Sequence, residues 1–520
     1  MRRQARSVQN RSVRSLTRRI VTVAAIVLLG VFGLFIWAQT VLTGDTVRLA
    51  VERQLTQALG QPVHISSVHA TVVPRVTMTL AGVTIGEPAT ATIDRVFVGT
   101  NIRALLSRRI EHAAIRVADA RIALEASIAL LRSLARKPPA SRGDSIEISS
   151  IDTIALTNVQ LVSGARVLRM DGALAVDEDG LRIQQVSLNG EDGTSVEITG
   201  TIADLGRPAG QLTLKGKNVN VLGLLPFAAA FSGGVTEDPG RGSSAADLAM
   251  SVHADRAIIG TLTLADLDGR GRVAGGGLML DPIAFGVLGG TSRGSLSWTL
   301  TRTPLFHLNL MLAGLDAAAV VAFAGSDRVI TGRLAGSLNL QGRGMSVDDA
   351  ISSARGPVRL DIENGTIERL GLVRTLVLAT SMREDSRGAV NSAAASDRES
   401  FSHLGATFTV ADAVARTNDL SLTSRDVLLT ATGQIGLRTQ AVDLNGRAQL
   451  SDELSKQAGR DLIRYTDEDG RVTLPVTISG TPGNLHVRVD LAAAAGRALR
   501  NRAEDEVKKA IKKGLGQILK

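Results

Sequence analysis

Within residues 75–80 the side chains alternate, with Val76, Met78 and Leu80 on one face and Thr77 and Thr79 on the other. The same two-residue period recurs in 295–300, where Leu296, Trp298 and Leu300 oppose Ser295, Ser297 and Thr299. It recurs again in 306–312, where Phe306, Leu308, Leu310 and Leu312 form a single apolar row. Period two with Thr, Ser, Val and Leu enrichment predicts half-buried β-strands. Turn pairs at Asp171-Gly172, Asp179-Gly180, Asp192-Gly193, Asn364-Gly365 and Asp469-Gly470 predict hairpins between them. The body of the chain therefore reads as mainly β and predominantly antiparallel.

A few stretches break the alternation. Asp45 precedes TVRLAVERQLTQAL, in which Val47, Val51, Leu55 and Leu59 fall at four-residue steps, with Gly60 as a stop and Pro62 beyond. That pattern predicts one short amphipathic helix. NIRALLSRR at 101–109, VNVLGLLPFAAAF from Val219 and DAAAVVAFAG from Asp316 also read as short helices. The last two stand in similar places before Gly-led strand runs, a weak internal repeat without a fixed period. Residues 132–145, 232–246 and 383–399 are small, polar and rich in Pro or Gly, and are expected to be exposed loops. From 491 to 520 the pattern returns to helix, with Leu499, Ala503, Val507, Ile511, Leu515 and Ile518 along one stripe and Lys508, Lys509, Lys512 and Lys513 beside it. Such a basic amphipathic helix either lies on an anionic membrane surface, through those four lysines, or packs its stripe on the sheet as an end cap.

Residues 20–38, IVTVAAIVLLGVFGLFIWA, run for nineteen positions without a charge. At about 1.5 Å per residue they span close to the ~30 Å hydrocarbon layer. The run is longer than the roughly 7–15 residues of a signal-peptide core, and Ile36-Trp37-Ala38 is a poor cleavage site. An uncleaved transmembrane helix is predicted. Seven Arg and no acid precede Ile20, whereas 39–46 carries only Asp45. The positive-inside rule then places the N-terminus in the cytoplasm and the bulk of the chain outside a bacterial inner membrane, in the periplasm.

Charge and composition remove several classes. The net charge of +9 points to nucleic acid until it is located. The excess sits in the first nineteen residues and the last thirty, and the body between them is slightly acidic, without a nucleic-acid footprint. Only 2% of the 520 residues are aromatic, too few for the girdles of an outer-membrane barrel or the platforms of a single-strand binder. With no Cys there is no disulfide framework, thiol nucleophile or thiolate metal site.

Candidate chemistry is sparse. Gly290-Thr291-Ser292-Arg293-Gly294 matches G-x-S-x-G, but a strand pattern follows where a nucleophile elbow needs a helix. The G-x-G-x-x-A strings at Gly240 and Gly269 likewise open no helix. The acidic runs 177–180 and 467–470 lack the D-x-D-x-D-G of a calcium loop, and the seven His are dispersed without H-E-x-x-H. No catalytic constellation, metal site or cofactor site emerges, and a non-enzymatic protein is expected.

The order of anchor, capped helix, LGQPVHISSVHATVVPRVTMTLAGVTI (59–85) and VFVGTNIRALLSRRIEHAAIRVADARIAL (96–124) resembles the AsmA-like family of bacterial envelope proteins. IENGTIERLGLVRTL (362–376), FSHLGATFTVADAVARTNDLSLTS (401–424), ATGQIGLRTQAVDL (431–444) and LPVTISGTPGNLHVRVD (474–490) are similar to its C-terminal region. The resemblance implies a long curved antiparallel sheet with an open hydrophobic groove, tethered in the inner membrane and related to bridge-like lipid-transfer proteins. It implies phospholipid movement between membranes or outer-membrane assembly, and it carries over no catalytic residues.

The expected organisation is a cytoplasmic basic segment (1–19), the transmembrane helix (20–38), an AsmA-like N-terminal β region (39–131), a middle groove region (146–345), an AsmA-like C-terminal β region (346–490) and the basic helix (491–520). Burying one CH₂ is worth roughly 0.8 kcal/mol, so a two-chain phospholipid crossing water exposes on the order of 20 kcal/mol of tail. An aliphatic trough removes most of that barrier. Leu296, Trp298, Leu300, Phe306, Leu308, Leu310 and Leu312 are the residues expected to line it. Expected partners are the inner membrane, phospholipid acyl chains and outer-membrane or envelope proteins, with no nucleic acid. The alternative is a scaffold or assembly factor for outer-membrane proteins, whose sheet would be filled by its own side chains.

Overall fold

The computed structural model describes residues 45–71, 76–100, 109–110, 113–124, 147–148, 151–177, 180–203, 209–232, 247–299, 303–344, 346–380, 398–457, 470–490 and 507. The predicted membrane span at 20–38 lies outside them, as does the C-terminal helix apart from Val507, which is helical. Among the described residues no helix is long and apolar enough to cross a membrane. The chain packs as two compact units, Met1–Leu214 and Lys215–Lys520.

The first unit opens with α1 (Asp45–Leu59), the amphipathic helix expected from the four-residue spacing. It lays Val51, Leu55 and Leu59 on Val63, Ile65, Val68, Leu80 and Val83 of the strands that follow. Glu52 fixes the join, because its Oε1 accepts both the Ile65 amide at 2.7 Å and an Arg48 N–H at 2.9 Å. Strands β1 (Val63–Thr71), β2 (Val76–Ile85), β3 (Ala91–Thr100), β4 (Arg109–Ile110), β5 (Ala113–Ala123), β6 (Glu147–Ile148), β7 (Ile151–Ser163), β8 (Arg166–Asp177), β9 (Gly180–Gly190) and β10 (Ser195–Ile202) follow, and β11 (Ala209–Asn220) crosses the boundary between units. Pairing runs antiparallel from β1 through β2 and β3 to β5, and from β7 through β8 and β9 to β10.

Between those two runs the antiparallel expectation fails, since β5 and β7 are parallel. A parallel pair needs a crossover of a dozen or more residues. The stretch from 124 to 150, which contains the polar loop expected at 132–145, supplies that length. Arg109, expected at a helix end, instead begins β4, which pairs in parallel with β6. Asp171-Gly172 is no hairpin tip either. It lies within β8, opposite a register shift where Asn158 takes φ 52° and its amide donates to Asp171 Oδ1 at 2.7 Å. An Asx side chain satisfies the amide that a bulge frees, so the same residue type that favours turns serves a strand.

The second unit begins with α2 (Val221–Ser232) and continues β12 (Asp247–Ile259), β13 (Leu262–Ala274), β14 (Gly277–Val287), β15 (Gly290–Thr299), β16 (Leu305–Asp316), α3 (Ala317–Phe323), β17 (Arg333–Arg343), α4 (Val347–Ser353), β18 (Gly356–Ile367), α5 (Leu372–Thr380), β19 (Glu399–Ala411), β20 (Val414–Ser424), β21 (Val427–Gly436), β22 (Val442–Leu450), α6 (Asp452–Gln457), β23 (Thr473–Thr481) and β24 (Asn484–Val489). Each strand pairs antiparallel with the next, from β12 to β24. Asp316 caps α3 by accepting the Ala318 amide at 2.9 Å, as its place before the Ala-rich run predicts. Asn364-Gly365, expected as a turn, sits inside β18. A Cβ on Gly365 would collide with the Thr331 carbonyl and the Phe401 ring, so glycine is required there by close packing rather than by a hairpin.

Candidate functional site: an apolar sheet face

Alternation puts one face of the second unit's sheet in aliphatic side chains, and the strand register lines them up across strands. Leu280 stands opposite Leu296, Leu296 opposite Leu308, and Leu308 opposite Leu340. One step along, Leu310 stands opposite Leu338, Leu338 opposite Val358, and Val358 opposite Phe408. Near the strand ends Trp298 lies between Leu278 and Phe306. The rows through Leu296 and Leu310 belong to one continuous apolar cluster. A one-residue slip would turn every one of them to the opposite face, so the shared period fixes the register of the whole sheet.

The sequence-based candidates are not equally exposed on this face. Leu296, Trp298, Phe306, Leu308 and Leu312 are half-buried, whereas Leu310 is buried, 5% exposed. Leu300 lies outside the described residues, and so do Lys508, Lys509, Lys512 and Lys513. The intervening His307, Asn309 and Met311 face the other way and are exposed.

Farther along the sheet the same face is filled. Leu334, Ile362, Leu404, Leu422, Leu429, Ala448 and Leu474 follow one another across successive strands. Leu422, Leu429 and Leu474 are fully buried, and so are Leu372 and Leu376 of α5. Helix α5 lies near β24 at the edge of the sheet. No sequence pattern announces this helix: Leu372, Val373 and Leu376 have the spacing of a helix face, but Gly371 precedes them where a capping side chain would mark the start.

The cap comes from a distant residue instead. Glu399, expected in an exposed loop at 383–399, is the first residue of β19 and is 7% exposed. Its Oε2 accepts the Val373 amide at 3.4 Å, in the first turn of α5. Burial pushes its carboxyl above the ordinary range, against the Val373 amide and the Ser424 hydroxyl, which favour the ionised form, and the nearby Asp426 pushes the same way as burial. No local motif foretells a contact between residues so far apart.

Within the apolar rows, Ser292 Oγ and Trp298 Nε1 are buried without a partner among the described residues. Ser292, the centre of the G-x-S-x-G string, is 2% exposed within β15, and no helix follows it. Among the described residues no group of His, Asp or Glu is placed to hold a metal ion. The arrangement offers apolar surface and scattered single donors.

No curated protein and no solved structure matches the chain. Residues 233–420, which run from the segment before β12 into β20, match the AsmA family, and that match supports an AsmA-like protein.

Proposed function

We propose that the apolar face of β14–β17 holds phospholipid acyl chains and that the protein moves phospholipid between the inner and outer membranes, contributing to outer-membrane homeostasis. The observation that carries this reading is the in-register apolar row through Leu296, Leu308 and Leu340, whose members keep part of their surface in solvent, whereas Leu422, Leu429 and Leu474 of the later strands are fully buried. Hydrocarbon laid along that row recovers roughly 25 cal/mol for each Å² of apolar surface removed from water. Residues 20–38 then serve as the inner-membrane anchor, with the sheet in the periplasm. The chain acts without catalysis, and its partners are membrane lipid and envelope proteins rather than nucleic acid.

A second reading, a scaffold for outer-membrane protein assembly, draws support from the filled face around Leu372, Leu376, Leu429 and Leu474. Lipid extraction and native mass spectrometry of the purified full chain separate the two. Phospholipid retained in near-stoichiometric amount supports the conduit, and a lipid-free protein supports the scaffold.

A further inference from the structure

On the face of the second unit's sheet opposite the apolar rows, the register builds a polar row across three strands. Ser297 of β15 stands opposite His307 of β16, His307 opposite Gln341 of β17, and Gln341 opposite Arg355 in an isolated bridge. Leu305 and Arg343 face each other two residues farther along. Helix α4 adds Asp349 and Ser353, and the turn between β19 and β20 adds Asp412; together these residues line a cleft.

Part of the lining is committed to the fold. Arg355 pairs with Asp412 at 2.9 Å, and His307 Nε2 lies 2.9 Å from Asn339 Oδ1. Ser353 Oγ holds the Arg343 backbone, accepting its amide at 2.8 Å and donating to its carbonyl at 2.6 Å. Three groups are left over. Ser297 Oγ, the Gln341 carboxamide and the Arg343 guanidinium make no hydrogen bond or ion pair among the described residues, and all three residues line the cleft. Gln341 and Arg343 are exposed, on a strand whose backbone is held by β16 on one side and by the Gln341–Arg355 bridge on the other. A fixed strand and its neighbours thus present a planar cation, an amide and a hydroxyl that no described residue satisfies.

We propose that this cleft binds a carboxylate-bearing polar ligand, either the acidic side chain of a peptide segment or a free organic acid, with Arg343 forming the ion pair and Gln341 and Ser297 donating to the rest of the ligand. Guanidinium and carboxylate match as a planar, bidentate, charge-assisted pair. Phosphate suits the cleft less well. Of its two lining arginines Arg355 already holds Asp412, and the Asp349 and Asp412 carboxylates in the wall repel a dianion more than a monoanion. The site faces away from the apolar rows and does not depend on the lipid reading.

The test is calorimetric titration of the full chain, in neutral detergent, with four probes: a capped pentapeptide with one central Glu, the same peptide with Gln, glucuronate and inorganic phosphate. The parent should bind the Glu peptide or glucuronate, and phosphate more weakly than the better of the two. Arg343→Ala and Arg343→Gln should each weaken that binding about tenfold, and Arg343→Lys should restore part of the loss. Arg293→Gln removes an exposed cation elsewhere on the same face and should leave binding unchanged. Two neutral variants at Arg343, with circular dichroism confirming the fold, keep the result readable if one of them misfolds. A Glu peptide that outbinds both its Gln counterpart and glucuronate upholds the site as one for an acidic segment, and glucuronate that outbinds the Glu peptide upholds it as one for a small acid. The proposal is overturned if the parent binds neither carboxylate in preference to the Gln peptide, if phosphate binds most tightly, or if the Arg343 variants bind like the parent. Equal losses in Arg293→Gln and Arg343→Gln would also overturn it, as the mark of diffuse charge rather than a site.

Discussion

The Ser326 hydroxyl donates to Gln440 Oε1 at 2.6 Å across 114 positions of chain. Ser326 follows the C-terminal end of β16, after α3, and Gln440 sits in the turn from β21 to β22. Strict up-and-down order places those two connections at opposite ends of the strands, roughly 35 Å apart in a flat sheet at ~3.3 Å per residue. Arg369 and Gly483 repeat the relation two strands later, with Arg369 Nη1 donating to the Gly483 carbonyl at 3.3 Å. Right-handed strand twist of roughly 20–25° per pairing accumulates past 100° over that distance, enough to turn one end of the sheet onto the other. The coil is what fills the face around α5 while β14–β16 stay less covered.

This closure is measurable. Gln440 also donates from Nε2 to the Ala324 carbonyl at 2.7 Å, so Gln440→Ala removes both bonds and should cost about 1–2 kcal/mol in chemical denaturation. Ser326→Ala should cost less, and the double variant should show a coupling of about 0.5–1 kcal/mol. Additive effects would mean that the contact does not hold the coil.

Glu399 should tilt stability with pH. Its folded carboxyl titrates above the unfolded value near 4.5, so the folded state binds the extra proton between the two. Stability from this group is complete at acid pH and declines as pH rises from about 4.5 through the raised folded value. Glu399→Gln keeps an acceptor for the Val373 amide and removes the titration. Denaturation series across that range should show the decline in the parent and its loss in the variant.

His253 behaves oppositely to an isolated surface imidazole. Its Nδ1 lies 2.9 Å from Asp268 Oδ1, and that bond, reinforced by Asp255, raises its pKa above 6.5. The stability it contributes is present below the unfolded value and is lost as pH rises through the folded one. In an NMR titration the His253 midpoint should lie above 6.5 and fall toward it in Asp268→Asn. An unchanged midpoint would dismiss the pair.

Adjacent inward positions on β16 should respond differently to charge. Leu310→Asp places a carboxylate where the parent side chain is 5% exposed and should destabilise by about 3 kcal/mol or more. Leu308→Asp, at a half-buried site, should cost clearly less while reducing bound phospholipid. Equal costs in thermal unfolding would mean that both lie in one closed core.

Much of this architecture is legible in the sequence because period two, turn pairs and capping are local. Val76 to Leu80, Phe306 to Leu312 and the capped α3 fall where their patterns place them. Asp171-Gly172 and Asn364-Gly365 do not, because Asx and Gly serve bulges and tight packing as readily as hairpins, and only the partner strand decides between them. The parallel β5–β7 pair and the coil joining Ser326 to Gln440 are products of pairing order and accumulated twist, for which no short motif exists. The apolar rows of the candidate site follow from periodicity, but the contact of Glu399 with the Val373 amide joins the start of β19 to a helix 26 positions earlier and has no local signature. The burial of Leu310 beside half-buried Leu308 was equally hidden, since the two share a face and differ only in what the neighbouring strands place around them.

If lipid tails lie on the face of β14–β17, site-specific photocrosslinking at Leu308 in the full chain, expressed in its own membranes, captures them there. Mass spectrometry should find phospholipid adducts at Leu308 and at Leu296, and few at the buried Leu310. Adducts confined to this protein's own residues at all three positions would contradict the lipid-binding face and leave the scaffold in its place.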